Sequence, residues 1–186
     1  MGLQNSHSGW GWVSRLIHWA MAVIILGMTG LGLYMDTQNL DHYQLIQDHK
    51  SWGFLALVLA VIRLLWRSAN PAAPGLPGDT PGWQTLAVKA NHIALYVLII
   101  AVPVSGWLMV SASPLQDLGV KNMVFGLFEM PDPFPTGDQE LTQTLTTAHV
   151  AAWIALMIVL AAHIAGALYH HFVLRDRVLA RMVVGR

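Results

Sequence analysis

Apolar residues run in four long stretches along this chain, each of a length that crosses a bilayer, with polar connections between them. The first covers about residues 13–35 and has no Asp, Glu, Lys or Arg between residues 16 and 35. The second covers about 50–66 and is interrupted by one internal charge, Arg63. The third, about 90–111, is uncharged and contains Pro103, which predicts a kink. The fourth, about 147–173, lies in a stretch from 141 to 174 that is also free of charged residues. About 20 apolar residues span the hydrocarbon layer as a helix, so the pattern predicts an all-α, four-helix transmembrane bundle. The Pro- and Gly-rich connection 69–82 reads as a loop, and 113–140 is long enough to hold a short surface helix or cap. With no repeat or low-complexity tract, residues 1–186 read as one domain. A secretory leader is not expected, because the start of the chain lacks a basic run.

Composition agrees with membrane placement. The 186 residues are 55% hydrophobic and 11% charged, with a mean hydropathy of +0.51, whereas soluble domains carry about 25% charged residues. The formal net charge is zero, which argues against nucleic acid as a partner. Without a single Cys, the chain has no disulfide, thiolate metal site, iron–sulfur cluster or covalent c-type haem. Arg15, Arg63, Arg67, Lys89, Arg175, Arg177, Arg181 and Arg186 fall toward one side of the predicted bundle, and Lys50 and Lys121 toward the other. The positive-inside rule then predicts cytoplasmic N- and C-termini. Asp36, Asp41, Asp48, Asp117, Glu129, Asp132, Asp138 and Glu140 mirror this on the outer side.

Histidine spacing points to the chemistry. His149 and His163 are fourteen residues apart, about 21 Å along a helix and on nearly the same face. His18 lies near the inner end of the first span and His49 near the outer end of the second, so depth pairs His18 with His163 and His49 with His149. A lone His in a membrane helix is ordinarily a polar group bonded across helices. Two facing pairs in a bundle core suit the axial positions of two six-coordinate haem irons. Zinc or copper would instead need ligands converging at one depth. Gly53, Ala151, Ala152 and Gly166 are the small residues expected to leave room for a porphyrin. Met109 and Met157 are expected to pack the core, and His7 and His42 to be solvated.

Several segments resemble the bacterial cytochrome b561 family of small four-helix di-haem membrane proteins. They are Arg15-Leu-Ile-His-Trp19, His49 with Arg63, Asn91-His-Ile-Ala-Leu-Tyr96 leading to Pro103-Val-Ser-Gly106, the pair His149 and His163, and Ala167-Leu-Tyr-His-His-Phe172 with Asp176 and Arg181-Met182. The resemblance implies two b-type haems, with iron ligands His18 and His163 for one and His49 and His149 for the other. It also implies transmembrane electron transfer linked to the quinone pool in a bacterial inner membrane, with superoxide as a candidate electron donor.

Second-tier residues refine this reading. Arg63, fourteen residues after His49, should lie level with the inner pair. With no acid at that depth, it is expected to meet a haem propionate or a quinone headgroup, or else to snorkel inward beside Arg67. His92 has no expected partner at its depth and reads as a hydrogen-bonding residue near a propionate or quinone, or as a plain interhelical bond. His170 and His171 read as interfacial anchors. Bis-His ligation leaves no open iron site, so outer-sphere electron transfer without a catalytic side chain is expected. Expected partners are membrane lipid, quinone or quinol, and a small-molecule or protein electron donor. Superoxide entry would need a positive patch at Lys50 and Lys121, because eight acids surround them. Two other readings stand beside this one: a haem-bearing membrane subunit of a larger dehydrogenase or hydrogenase, and a His-lined proton or metal carrier.

Overall fold

A computed structural model describes residues 2–36, 43–78, 80–134 and 137–185; Asp41, His42 and Arg186 lie outside the described residues. Four long helices carry the chain back and forth: α1 (Trp12–Asp36), α2 (Tyr43–Ala69), α3 (Gly82–Ser111) and α4 (Gln139–Tyr169). All four are long and apolar enough to cross a membrane. The fourth continues through a π-helical turn, His170–Leu174, and a short helix, α5 (Val178–Val183), follows.

Three helices start earlier than the apolar pattern predicts. Helix α2 begins at Tyr43 rather than 50, α3 at Gly82 rather than 90, and α4 at Gln139 rather than 147. Hydropathy registers only the lipid-facing part of a helix. The extra turns are polar and held by local chemistry: Asp138 caps α4 by accepting from the Leu141 N–H, and Pro81 precedes the first residue of α3. His49, His92 and His149 therefore sit well inside their helices rather than at their openings.

Helix α1 packs along α2, α2 along α3, and α3 along α4. Helices α1 and α4 meet through side chains: Trp153 Nε1 donates to Thr29 Oγ1 at 3.3 Å, and that hydroxyl donates to Met157 Sδ at 3.6 Å. The buried core is small, one residue from each helix: Met21, Ala60, Ile99 and Leu156.

A seven-residue register orders the four helices into levels. Along α1 it runs His18, Ile25, Gly32; along α2 His49, Ala56, Arg63; along α3 His92, Ile99, Gly106; along α4 His149, Leu156, His163. Seven residues are just short of two turns, so each set keeps one face, the period of left-handed bundles. The middle members are all aliphatic, with Leu156 only 4% exposed. An aliphatic layer thus separates two polar levels.

Each end of the bundle is closed differently. At the termini end, the Asn5 side chain accepts from Gly11 N and Ser14 Oγ and donates to the Asn70 carbonyl. Arg181 donates to the Gly75 carbonyl, and Trp19 Nε1 to that of Met182. At the opposite end, residues 113–134 form the cap anticipated from the length of that connection: a 3-10 turn at Pro114–Gln116 and a hairpin of β1 (Met123–Val124) with β2 (Phe128–Glu129). Met123 pairs with Glu129 and Val124 with Phe128, antiparallel.

Candidate functional site

At the level near the cap, two histidines are each set against a glycine of a neighbouring helix. A Cβ on Gly106 would stand 3.0 Å from His149 Cε1 and 3.2 Å from its Nδ1. A Cβ on Gly32 would stand 3.4 Å from His49 Cε1. His149 Nδ1 lies 2.9 Å from the Val102 carbonyl and 3.1 Å from Ser105 Oγ. A carbonyl only accepts, so Nδ1 carries the proton and Nε2 keeps its lone pair, the tautomer a metal ligand needs. The Ser105 hydroxyl also donates to the Val102 carbonyl, at 2.8 Å, which steadies the same corner. His49 Nδ1 is buried and meets no hydrogen-bond partner among the described residues.

At the level nearer the termini, His18 and His163 face each other with ring centres 6.2 Å apart and planes inclined at 55°. A metal bound between two imidazoles, with bonds of about 2 Å and ring centres about 1 Å further on each side, would set those centres roughly 6 Å apart. Arg63 Nη2 donates to His18 Nδ1 at 3.1 Å, and its guanidinium lies 5.7 Å from the Tyr96 ring centre. Arg63 therefore turns into this cluster rather than snorkelling beside Arg67, which donates to the carbonyls of Asn70 and Pro71. His92 does have a companion, contrary to its lone reading: its ring is 5.3 Å from that of His163, edge-on at 78°. Its Nδ1 donates to the Val88 carbonyl at 2.8 Å, and the residue is exposed on the bundle surface.

Other expectations change. Gly53 lies against Met28, a Cβ on Gly166 would meet nothing within 4 Å, and Ala151 faces outward. The small residues beside the imidazoles are Gly32 and Gly106. Spacing from a histidine along its own helix did not point to Gly32 and Gly106, because each belongs to the helix next to the ring, while the open space at Gly166 leaves the room expected there. The recurrence of His18 and Gly32, and of His92 and Gly106, at fourteen residues was the available signal. His170 is no surface anchor: it is 7% exposed, and its Nδ1 lies 2.5 Å from Asp176 Oδ2, bracing the π-helical turn.

Lys50 and Lys121, at the cap level, are both engaged. Lys50 Nζ donates to Asn122 Oδ1 at 3.1 Å, and Asn122 in turn donates to Asp132. Lys121 pairs with Glu129 at 2.6 Å, and that hydrogen bond holds the ammonium's pKa above its ordinary value.

The donor set fits b-type haem: imidazoles without thiolates, two pressed against glycines that bring a helix backbone close, and one held in the tautomer that presents Nε2. A four-helix membrane bundle with imidazoles ranked at two depths has the build of a membrane cytochrome. The sequence profile described as "Prokaryotic cytochrome b561" matches residues 9–185, and the chain belongs to that family. It is 34% identical to "Cytochrome b561 homolog 2" of Escherichia coli, over 98% of this chain and 95% of that protein. It is 29% identical to "Probable superoxide oxidase CybB" of Yersinia pestis, over 90% and 91%. It is also 29% identical to "Cytochrome b561 homolog 1" of E. coli, over 75% of each. The protein is thus a multi-pass inner-membrane b-type cytochrome that transfers electrons across the membrane.

Proposed function

We propose that the chain, as one membrane domain over residues 1–186, passes electrons between two b-type haems and exchanges them with the quinone pool. His18 and His163 would hold the haem nearer the termini, and His49 and His149 the haem nearer the cap. Bound there, each haem supplies a one-electron carrier without an open iron site. The observation that carries this reading is the pair His149 and His163 on one face of α4, with His18 opposite the second at 6.2 Å. The two levels are about 21 Å apart along α4, and macrocycle edges come closer than iron centres. The aliphatic layer of Ile25, Ala56, Ile99 and Leu156 keeps water and ions out of that interval. Both termini lie on the cytoplasmic side in this proposal, supported by Arg15, Arg67, Arg175 and Arg177 at that end.

The proposed quinone site is at Arg63 and His92. Metal binding at His18 Nε2 would put a proton on Nδ1 and remove the acceptor that Arg63 now uses, freeing the guanidinium for an anionic or carbonyl oxygen. His92, exposed beside His163, is reachable from the lipid, and its Nε2 meets no hydrogen-bond partner among the described residues. Arg63→Leu should slow reduction of the inner haem by a quinol analogue about tenfold or more, the scale of losing one charged hydrogen bond. Unchanged quinol kinetics and unchanged haem potential in this variant would reject both roles for Arg63.

The Yersinia relative suggests superoxide as donor at the cap level. Here Lys121 is paired with Glu129, and Lys50 donates to Asn122, which itself donates to Asp132, so nearby carboxylates offset the attraction of an anion by these two lysines.

A further inference from the structure

We propose that the tip of the β1–β2 hairpin, residues 125–128, is inserted into lipid beside α2, so that the cap is a membrane-anchored element rather than a loop standing in water. The segment Asn122-Met-Val-Phe-Gly-Leu-Phe128 carries no charge. Its base is polar: Lys121 pairs with Glu129, and Asn122 joins Lys50 to Asp132. This is the polarity of an interfacial element, with charges at headgroup level and an apolar end beyond them.

Depth on α2 makes the case. The Phe125 ring stands edge-on to Trp52 with centres 5.4 Å apart, and Phe128 edge-on to Phe54 at 5.7 Å. Trp52 and Phe54 lie three and five residues beyond His49, about 4.5 and 7.5 Å further into the membrane. A hairpin that touches Phe54 reaches past the start of the apolar run of α2. Its outward side is apolar as well: Leu127 is 80% exposed, and Phe125 and Phe128 are exposed. Such a patch is unfavourable in water and favourable against acyl chains. Unpaired backbone polar groups are costly at that depth, and three N–H groups of the hairpin are paired. Here Phe125 N donates to Ser51 Oγ at 2.9 Å, Leu127 N to the Val124 carbonyl at 2.9 Å, and Met130 N to the Asn122 carbonyl at 2.8 Å. Phe125 itself is left-handed, φ 48°, a conformation unfavourable for an aromatic residue. Its ring contact with Trp52 and its bond to Ser51 hold it there. The occupant is lipid because the patch continues the membrane-facing flank of α2.

The absence of native cysteine makes the test direct. Leu127→Cys, Asp117→Cys on the exposed cap and Ile158→Cys on the exposed flank of α4 would each be made in the haem-loaded protein and placed in phosphatidylcholine nanodiscs, which open both faces to solvent. Each is then timed for alkylation by a charged maleimide. Because the reactive species is the thiolate, position 127 should react at least about tenfold more slowly than 117 and about as slowly as 158. All three should become equal in denaturing detergent. Since Leu127 is exposed in the protein itself, slow reaction reports lipid. Reaction at 127 as fast as at 117 would overturn the proposal and leave the tip as a water-facing seat for a soluble partner.

Discussion

At Gly106 the α3 backbone comes so near the His149 ring that no side chain fits without moving it. Gly106→Val should displace that imidazole from its bond to the Val102 carbonyl, and the haem of the cap level should be lost or become high-spin. The other haem's optical and EPR signals should persist. Retention of both signals unchanged would contradict the assignment of His149. The Arg63 guanidinium, beside the level nearer the termini, favours the more electron-rich, reduced state, so Arg63→Gln should lower the midpoint potential of one haem and leave the other unmoved. A redox titration resolved by EPR checks it. The depths of His18, His49, His149 and His163 were legible in the sequence because depth along a helix follows from residue number. Gly32, Gly106, Ser105 and the contact of His92 with His163 were not, because they depend on which helix faces which and with what rotation.

Among the helices, hydropathy located all four spans and the level of each histidine, but it missed the first two turns of α2, α3 and α4. Those turns are polar and depend on caps and on contacts with the far loop. Ser51 and Gln47 of α2, for example, bond the hairpin strand and the Lys121 carbonyl. Asp138 marks where α4 begins. Asp138→Ala removes the side-chain acceptor for Leu141 N and should cost about 1 kcal/mol, seen as a lower temperature of haem release. Since the cap lies far along the chain from His163, the cap-level haem should be released first. Equal lowering for both haems would mean that α4 unfolds as a single unit. In sequence alone, two adjacent histidines near a helix end carry no sign that His170 meets a carboxylate six residues on.

For the molecule as a whole, charge asymmetry decides how an anionic donor would approach. The described acids Asp48, Asp117, Glu129, Asp132, Asp138 and Glu140 lie at the cap end, while Lys50 and Lys121 are engaged by cap groups. If superoxide reduces the cap-level haem, the rate should rise with ionic strength, because screening relieves repulsion by the acids. A rate that falls with salt, in stopped-flow, would mean that the lysines dominate instead. Whether one helix, α4, supplies a ligand to each of two haems is decided by haem-to-protein stoichiometry, taken by pyridine haemochrome on the purified protein and on His149→Ala and His163→Ala. Two non-covalent b haems per chain are expected in the parent, with a different one lost in each variant, told apart by EPR. One haem in the parent, or the same haem lost in both variants, would contradict it.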